Sequence, residues 1–292
     1  MAWTQTAKTE VLHSFAQFLL AFAWSASFLR LLPEGVFHRL DGSLRDLGAE
    51  MDRRERQAPA LAGAGGSGDL ARIRTRSGVQ PSLAAHLQGM VVVHKPADWE
   101  VDGPVVEEGE HPPLSAYLQA ALPRRDCPLV WSAERGYGFL HRLDIPSSGL
   151  VLCGTTFEGY YSLRLQLDTK RLRREYFVLC HGLAAAELTK VAAKVDVAPD
   201  PSQRRSVNDS GKPSQTQLRL AAHACEGAEA DRYRMSIAAI RIFTGRRHQI
   251  RVHLRHVGHP TVTDARYTCR EAAAASRAPA PAPARPEATD DV

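Results

Sequence analysis

The segment Gly138-Phe-Leu-His-Arg-Leu-Asp-Ile-Pro-Ser-Ser-Gly-Leu-Val-Leu152 sets one carboxylate, Asp144, just ahead of a turn that opens into an apolar run. An acid at the mouth of a buried strand is fixed by the sheet yet open to a cleft, where it can act as a nucleophile or stabilise developing charge. For a solitary turn Asp, a local cap on backbone N–H groups is the plainer reading. The second segment is Thr244-Gly-Arg-Arg-His-Gln-Ile-Arg-Val-His-Leu254. On a helix Arg247 and Arg251 lie four apart, as do Gln249 and His253, while Ile250 and Leu254 form an apolar stripe. One face then packs and the other presents Arg to an anion, or one Arg turns inward to a carboxylate. A solvated basic helix is the bland alternative.

The charge of the chain gathers around these segments. Of 292 residues, 37 are Lys or Arg and 32 Asp or Glu, a formal net charge of +5. The excess falls within residues 86–270, and Arg241 to Arg270 holds seven Arg against the single acid Asp264. This makes that stretch the strongest candidate face for phosphate. His248, His253, His256 and His259 also lie there, but neighbouring Arg repels a cation and no carboxylate or thiolate stands among the four, so no metal is expected. The five cysteines contain no CxxC pair, which signals neither a zinc site nor a redox dithiol. They read as buried free thiols in a reducing compartment, against secretion. A charged fraction of 24% beside 44% hydrophobic residues excludes wholesale disorder and a multi-span membrane protein.

The elements that must position these residues follow from the pattern. Met90-Val-Val-Val-His94, Gly149-Leu-Val-Leu-Cys153, Glu175-Tyr-Phe-Val-Leu-Cys180 and Arg232 to Phe243 read as strands, and Leu114 to Leu122 and Arg247 to His256 as helices. Strands joined by irregular links predict an α+β domain with a mixed, largely antiparallel central sheet flanked by helices. Ahead of it, residues 11–32 are apolar but interrupted by His13, Ser14, Gln17, Ser25, Ser27 and Arg30. They read equally as a targeting segment or a packing helix bearing Phe15, Leu19, Phe22, Ala26 and Leu29 on one face, and a retained membrane span is the weaker reading. The resulting division is 1–57 as this N-terminal helical region, 58–85 as a flexible linker, 86–270 as the α+β domain and 271–292 as an extended Ala/Pro tail.

Leu140-His-Arg-Leu-Asp-x-x-Ser-Ser-Gly-Leu150, Arg174-Glu-Tyr-Phe-x-Leu-x-x-Gly182 and Thr244-Gly-Arg-x-His-Gln-Ile-Arg-Val-His-Leu254 stand in an order and spacing that closely resemble the RluA-type pseudouridine synthases. Gly258-His-Pro260, Asp264-x-x-Tyr267 and the early Val-Val-Val-His-Lys-Pro96 extend the resemblance over roughly residues 88–268. The HRLD at His38 to Asp41 lacks the turn and strand and looks like a coincidence. Four positions depart from the family pattern: Ser147 stands for the usual Thr, His94 and Asp98 for the Asn and Gly around Lys-Pro, and Thr263 for the Gly before the late Asp. The family also continues beyond Asp-x-x-Tyr where this chain turns to Ala and Pro, so a short sheet edge is expected.

The resemblance implies a fold with an active-site cleft and an enzyme that isomerises uridine to pseudouridine in structured rRNA or tRNA. Asp144 would be the catalytic aspartate, acting on the uracil ring or the ribose C1′, Tyr176 the tyrosine that stacks on the base, and Arg251 the arginine paired with Asp144. Arg142 would hold the flipped geometry, with Arg246, Arg247, His248 and Arg255 as RNA contacts. The reaction exchanges a C1′–N1 bond for C1′–C5 without net redox change, so no metal and no small-molecule cofactor is expected. The base must leave its stack, at a cost of a few kcal/mol. A catalytically inactive RNA-binding protein that keeps the fold is the alternative. The expected partner is RNA rather than a membrane, the expected state a monomer, and the compartment cytoplasmic or organellar.

Overall fold

The computed structural model describes residues 2–57, 78–102, 112–196, 203–226 and 233–268, and the chain divides into two units, Met1–Leu172 and Arg173–Val292. Most of the expected linker, at 58–77, and the Ala/Pro tail lie outside the described residues.

In the first unit two long helices, α1 (Ala2–Phe28) and α2 (Glu34–Gln57), precede a hairpin of β1 (Ser82–Leu87) and β2 (Met90–Lys95). The short helix α3 (Leu114–Ala121), strand β3 (Gly149–Gly154) and helix α4 (Phe157–Asp168) complete it. The strands run β1-β2-β3, antiparallel throughout, with Val93 opposite Val151 and Lys95 opposite Gly149. The sequence reading put β1 at the end of the linker, because Ser82-Leu-Ala-Ala-His-Leu87 carries no β-branched residue to mark it.

The core of this unit is helical. Pro33 starts α2 by accepting the N–H groups of Val36 and Phe37 at 3.0 Å each. Phe37, Leu40, Leu44 and Met51 then recur at helical spacing and bury against Phe157, Tyr161 and Leu165 of α4. The two helices close at Gly48, where a Cβ would stand 2.5 Å from the Cα of Glu158. One turn on, the buried Asp52 accepts the backbone N–H groups of Phe157 (2.8 Å) and Glu158 (3.1 Å), capping α4 from another helix, while Thr156 caps it locally by accepting from Gly159. Burial raises the Asp52 carboxyl above the ordinary Asp value, and these two N–H bonds work against that rise.

Helix α1 packs on the same core by Ala16, Leu20 and Ala23, and His13 meets the Tyr161 hydroxyl at 2.6 Å. This corrects the expected packing face: Phe15 and Phe22 keep half their surface exposed and Leu29 keeps 62%. Small residues let helix axes approach closely, so the alanines face inward and the phenylalanines outward. The segment Thr9–Phe28 is still long and apolar enough to cross a membrane by length and composition. The N-terminal HRLD lies within α2, where Asp41 accepts from Arg45 (2.9 Å) and Ser162 (2.7 Å). Its role is helix packing.

The second unit is an antiparallel sheet of β4 (Arg174–His181), β5 (Lys190–Ala192), β6 (Gln215–Glu226) and β7 (Tyr233–Ile242) in the order β4-β7-β6-β5, followed by helix α5 (Gln249–His256). Leu218, Ala238, Ile240 and Leu254 bury together, so α5 covers one face. The α+β class agrees with the sequence. The described strands form two sheets, each antiparallel, in place of a single mixed one. Cys127, Cys153 and Cys180 are buried free thiols as expected, whereas Cys225 is exposed.

Candidate active site

In the first unit the turn that carries Asp144 closes when the Ser147 N–H donates to the Asp144 carbonyl at 2.9 Å. The chain enters β3 through Gly149, whose φ of +139° is conformational space for glycine. Beside this turn ends β2, and its last residue, Lys95, is fully buried. Nζ donates to the carbonyls of Trp99 (2.7 Å), Pro96 (3.0 Å) and Ile145 (3.1 Å). The Ile145 carbonyl also accepts the Asp98 N–H at 2.9 Å, so two elements grip the residue that follows Asp144. Burial pulls the Lys95 ammonium down to about 8, and the nearby Asp144 and Asp98 carboxylates limit that fall. The structure thus brings a buried cation to the candidate aspartate.

Two other residues of the motif point elsewhere. Nε2 of His141 accepts the Leu152 N–H at 3.2 Å, lacing the HRLD segment to β3. Arg142 is half exposed and lies 3.4 Å from Asp102 and 3.8 Å from Glu100.

In the second unit Tyr176 stands on β4 opposite Ile240, half buried beside the core. Arg174, two residues before it, has its charge disfavoured by burial and partly restored by the tyrosine; its Nε is buried with no hydrogen-bond partner among the described residues, and a Cβ on Gly245 would stand 2.5 Å from its Nη1. Glycine at 245 therefore makes room for the Arg174 guanidinium.

Arg251 lies on α5 and grips Asp264 with two bonds, Nε to Oδ2 at 2.6 Å and Nη2 to Oδ1 at 2.7 Å. Its guanidinium also lies 4.8 Å from the centre of the Tyr267 ring. Burial alone would raise the Asp264 carboxyl; the bonds from Arg251 and Thr261 outweigh it and hold the group below the ordinary Asp value. Among carboxylates of its own unit, then, Arg251 pairs with Asp264, whereas the resemblance pairs it with Asp144 of the first unit. A guanidinium has five N–H donors and can serve more than one acid.

The rest of the Thr244–Leu254 segment divides into support and surface. Oε1 of Gln249 accepts from Thr244 Oγ1 (2.7 Å) and the Arg246 N–H (3.1 Å), and its Nε2 donates to Gln215 and Thr216, each at 3.0 Å. His253 is fully buried between Thr216 Oγ1 (2.9 Å) and the Ala193 carbonyl (3.2 Å). His248, expected among the RNA contacts, is instead buried at φ +57° with Nδ1 2.8 Å from the Tyr267 hydroxyl. Arg246 and Arg247 are exposed and Arg255 is partly so.

Lys95, Arg174 and the Arg251–Asp264 pairing are the site features that reading the sequence did not assign. The signal for Lys95 was its place directly after a strand and before Pro96. Asp98 and Thr263, where the family has glycine, both adopt positive φ, +68° and +60°.

A family model described as RNA pseudouridylate synthase matches residues 89–256. The ribosomal large subunit pseudouridine synthase D of Xylella fastidiosa is 33% identical over 177 residues, 60% of this chain and 48% of that protein. The protein of the same name from Vibrio vulnificus is 32% identical over 182 residues, 61% and 50%. The chain spans about half the length of these relatives. Among solved structures, human RNA pseudouridylate synthase domain containing 1 aligns with a TM-score of 0.51 at 21% identity, covering 66% of this chain and 71% of that one, a likeness of fold.

Proposed function

The chain belongs to the RNA pseudouridylate synthase family, and from that membership we propose that it isomerises uridine to pseudouridine in structured RNA. The observation that carries the reading is the Asp144 turn, a carboxylate at the mouth of β3 whose backbone is clamped by the buried Lys95 ammonium. The relatives' names make large-subunit rRNA the first substrate to test, with tRNA the second.

In this proposal each residue has a chemical task. Asp144 supplies the charged oxygen that the C1′–N1 to C1′–C5 exchange requires. Tyr176 offers a flat ring to a uracil taken out of its stack. Arg251, oriented by Asp264, provides a fixed positive charge, and a preorganised charge in a water-poor site acts without reorganisation cost. Arg142, Arg246, Arg247 and Arg255 meet phosphates, which position the RNA rather than read its sequence. His248 and His253 are buried in hydrogen bonds to Tyr267, Thr216 and Ala193, so they anchor the segment that displays Arg246, Arg247 and Arg255.

The test is tritium release from RNA labelled with [5-³H]uridine. Wild-type protein should release tritium from rRNA, and Asp144→Asn should leave only background. Equal release by both proteins would refute the assignment.

A further inference from the structure

Helix α1 is apolar on two sides, and the described residues pack on only one of them. Ala16, Leu20 and Ala23 bury against α2 and α4. On the far side Val11, Phe15, Phe18, Phe22 and Leu29 remain 67, 50, 65, 50 and 62% exposed. Including Ser25, the spacing along this stripe is 4-3-4-3-4. A repeat averaging 3.5 residues keeps side chains on a line that a second helix can follow as a seam, whereas a helix packed on a globular core drifts at 3.6.

We propose that this face is the contact between two copies of the chain, each contributing α1 to a two-fold symmetric helix pair, in place of the monomer expected from the sequence. Area supports this. A phenylalanine carries about 150–250 Å², so five side chains exposed to this extent offer roughly 500 Å² per copy. Two copies would bury about 1,000 Å², near the threshold for a specific interface, before the bordering Trp24 and Phe28 (52 and 64% exposed) contribute. The same patch also appears on both partners of a two-fold contact, so it must tolerate itself. From Val11 to Leu29 there is no Asp, Glu, Lys or Arg, so no like charges oppose the approach.

That missing charge separates a second copy from a lipid surface. A helix lying in a bilayer interface carries Lys and Arg along its polar face, and here the opposite face is instead committed to protein, including the His13–Tyr161 hydrogen bond.

Sedimentation equilibrium of the full chain over roughly 1–100 µM tests the proposal. Wild type should sediment at twice the 32.0 kDa of the single chain. Phe15→Glu combined with Phe18→Glu should weaken association by roughly a hundredfold or more, with the helical circular dichroism signal unchanged because both side chains are exposed. Phe177→Glu removes a phenylalanine that is 81% exposed in the second unit and should leave the dimer intact. A wild-type monomer across the range, or a dimer indifferent to the double substitution, overturns the proposal. Flotation with phosphatidylcholine or phosphatidylserine vesicles by a monomeric wild type would assign the face to lipid instead.

Discussion

Asp144 and Arg251 are held in place by opposite means. The Asp144 turn is fixed through its main chain: Lys95 and the Asp98 N–H grip the Ile145 carbonyl, and Ser147 closes the turn on the Asp144 carbonyl. Arg251 is fixed through its own guanidinium, by two bonds to Asp264 and by the Tyr267 ring. A residue anchored by its backbone can exchange its side chain without dismantling its support. One anchored by its side chain cannot, so chemistry and stability are separable at 144 and joined at 251.

The largest expected effect exploits the separable side. Asp144→Asn should reduce isomerisation by about a thousandfold or more, as removal of a nucleophile does in other enzymes, while the melting temperature stays within a degree or two of wild type. A large fall in melting temperature would break the comparison by showing that the Asp144 side chain also supports its turn.

Asp264→Ala should instead cost about 3 kcal/mol of stability in denaturant titration, because it strands a part-buried guanidinium, and lower activity with it. Because the folded Asp264 carboxyl sits below the ordinary Asp value, its contribution is present at neutral pH and is lost as pH falls through that lowered value. Wild type should therefore lose stability on acidification more steeply than Asp264→Ala.

Lys95→Met should cost about 2 kcal/mol by taking the donor from the buried Pro96 and Trp99 carbonyls, while the Ile145 carbonyl keeps the Asp98 N–H. The pH profile sharpens the contrast. With its ammonium depressed from 10.5 to about 8 in the fold, the unfolded chain binds more protons between those values, so this group makes stability rise with pH across that window. Activity should do the reverse, falling through about pH 8 as the cation beside Asp144 is lost. An alkaline limb unchanged in Lys95→Met would remove Lys95 from the site.

The smallest effect tests the support around Arg251. Thr263→Gly should raise stability by about 1 kcal/mol, since a β-branched residue at φ +60° is strained where glycine is not. Thermal melting measures it.

What could be read from the sequence was local. The Asp144 turn, the apolar runs of β2, β3 and β4 and the helical spacing of α5 are written in adjacent residues, and the structure has them within a residue or two. Strand β6 escaped because Gln215-Thr-Gln-Leu-Arg-Leu-Ala-Ala-His-Ala-Cys-Glu226 has little β-branched character; pairing with β7 makes it a strand. Strand periodicity showed that Lys95 follows a buried run but not that it is itself buried, since that depends on carbonyls up to 50 residues away. The outward face of α1 was misread for a related reason. Ranking residues by hydrophobicity favours phenylalanine over alanine, whereas close helix approach favours the reverse.

The Asp52 cap has a consequence for synthesis. Its partners Phe157 and Glu158 follow it by 105 and 106 residues. At 5–20 residues per second, α2 therefore waits about 5–20 s for the helix it is shaped to hold. During that interval Leu40, Leu44 and Met51 have no α4 to cover them, and the emerging chain presents an amphipathic helix to whatever stands at the ribosome exit. The N-terminal helices are made first and completed late, so a chaperone that shields apolar helices should raise the yield of folded protein, and Asp52→Ala should deepen that dependence.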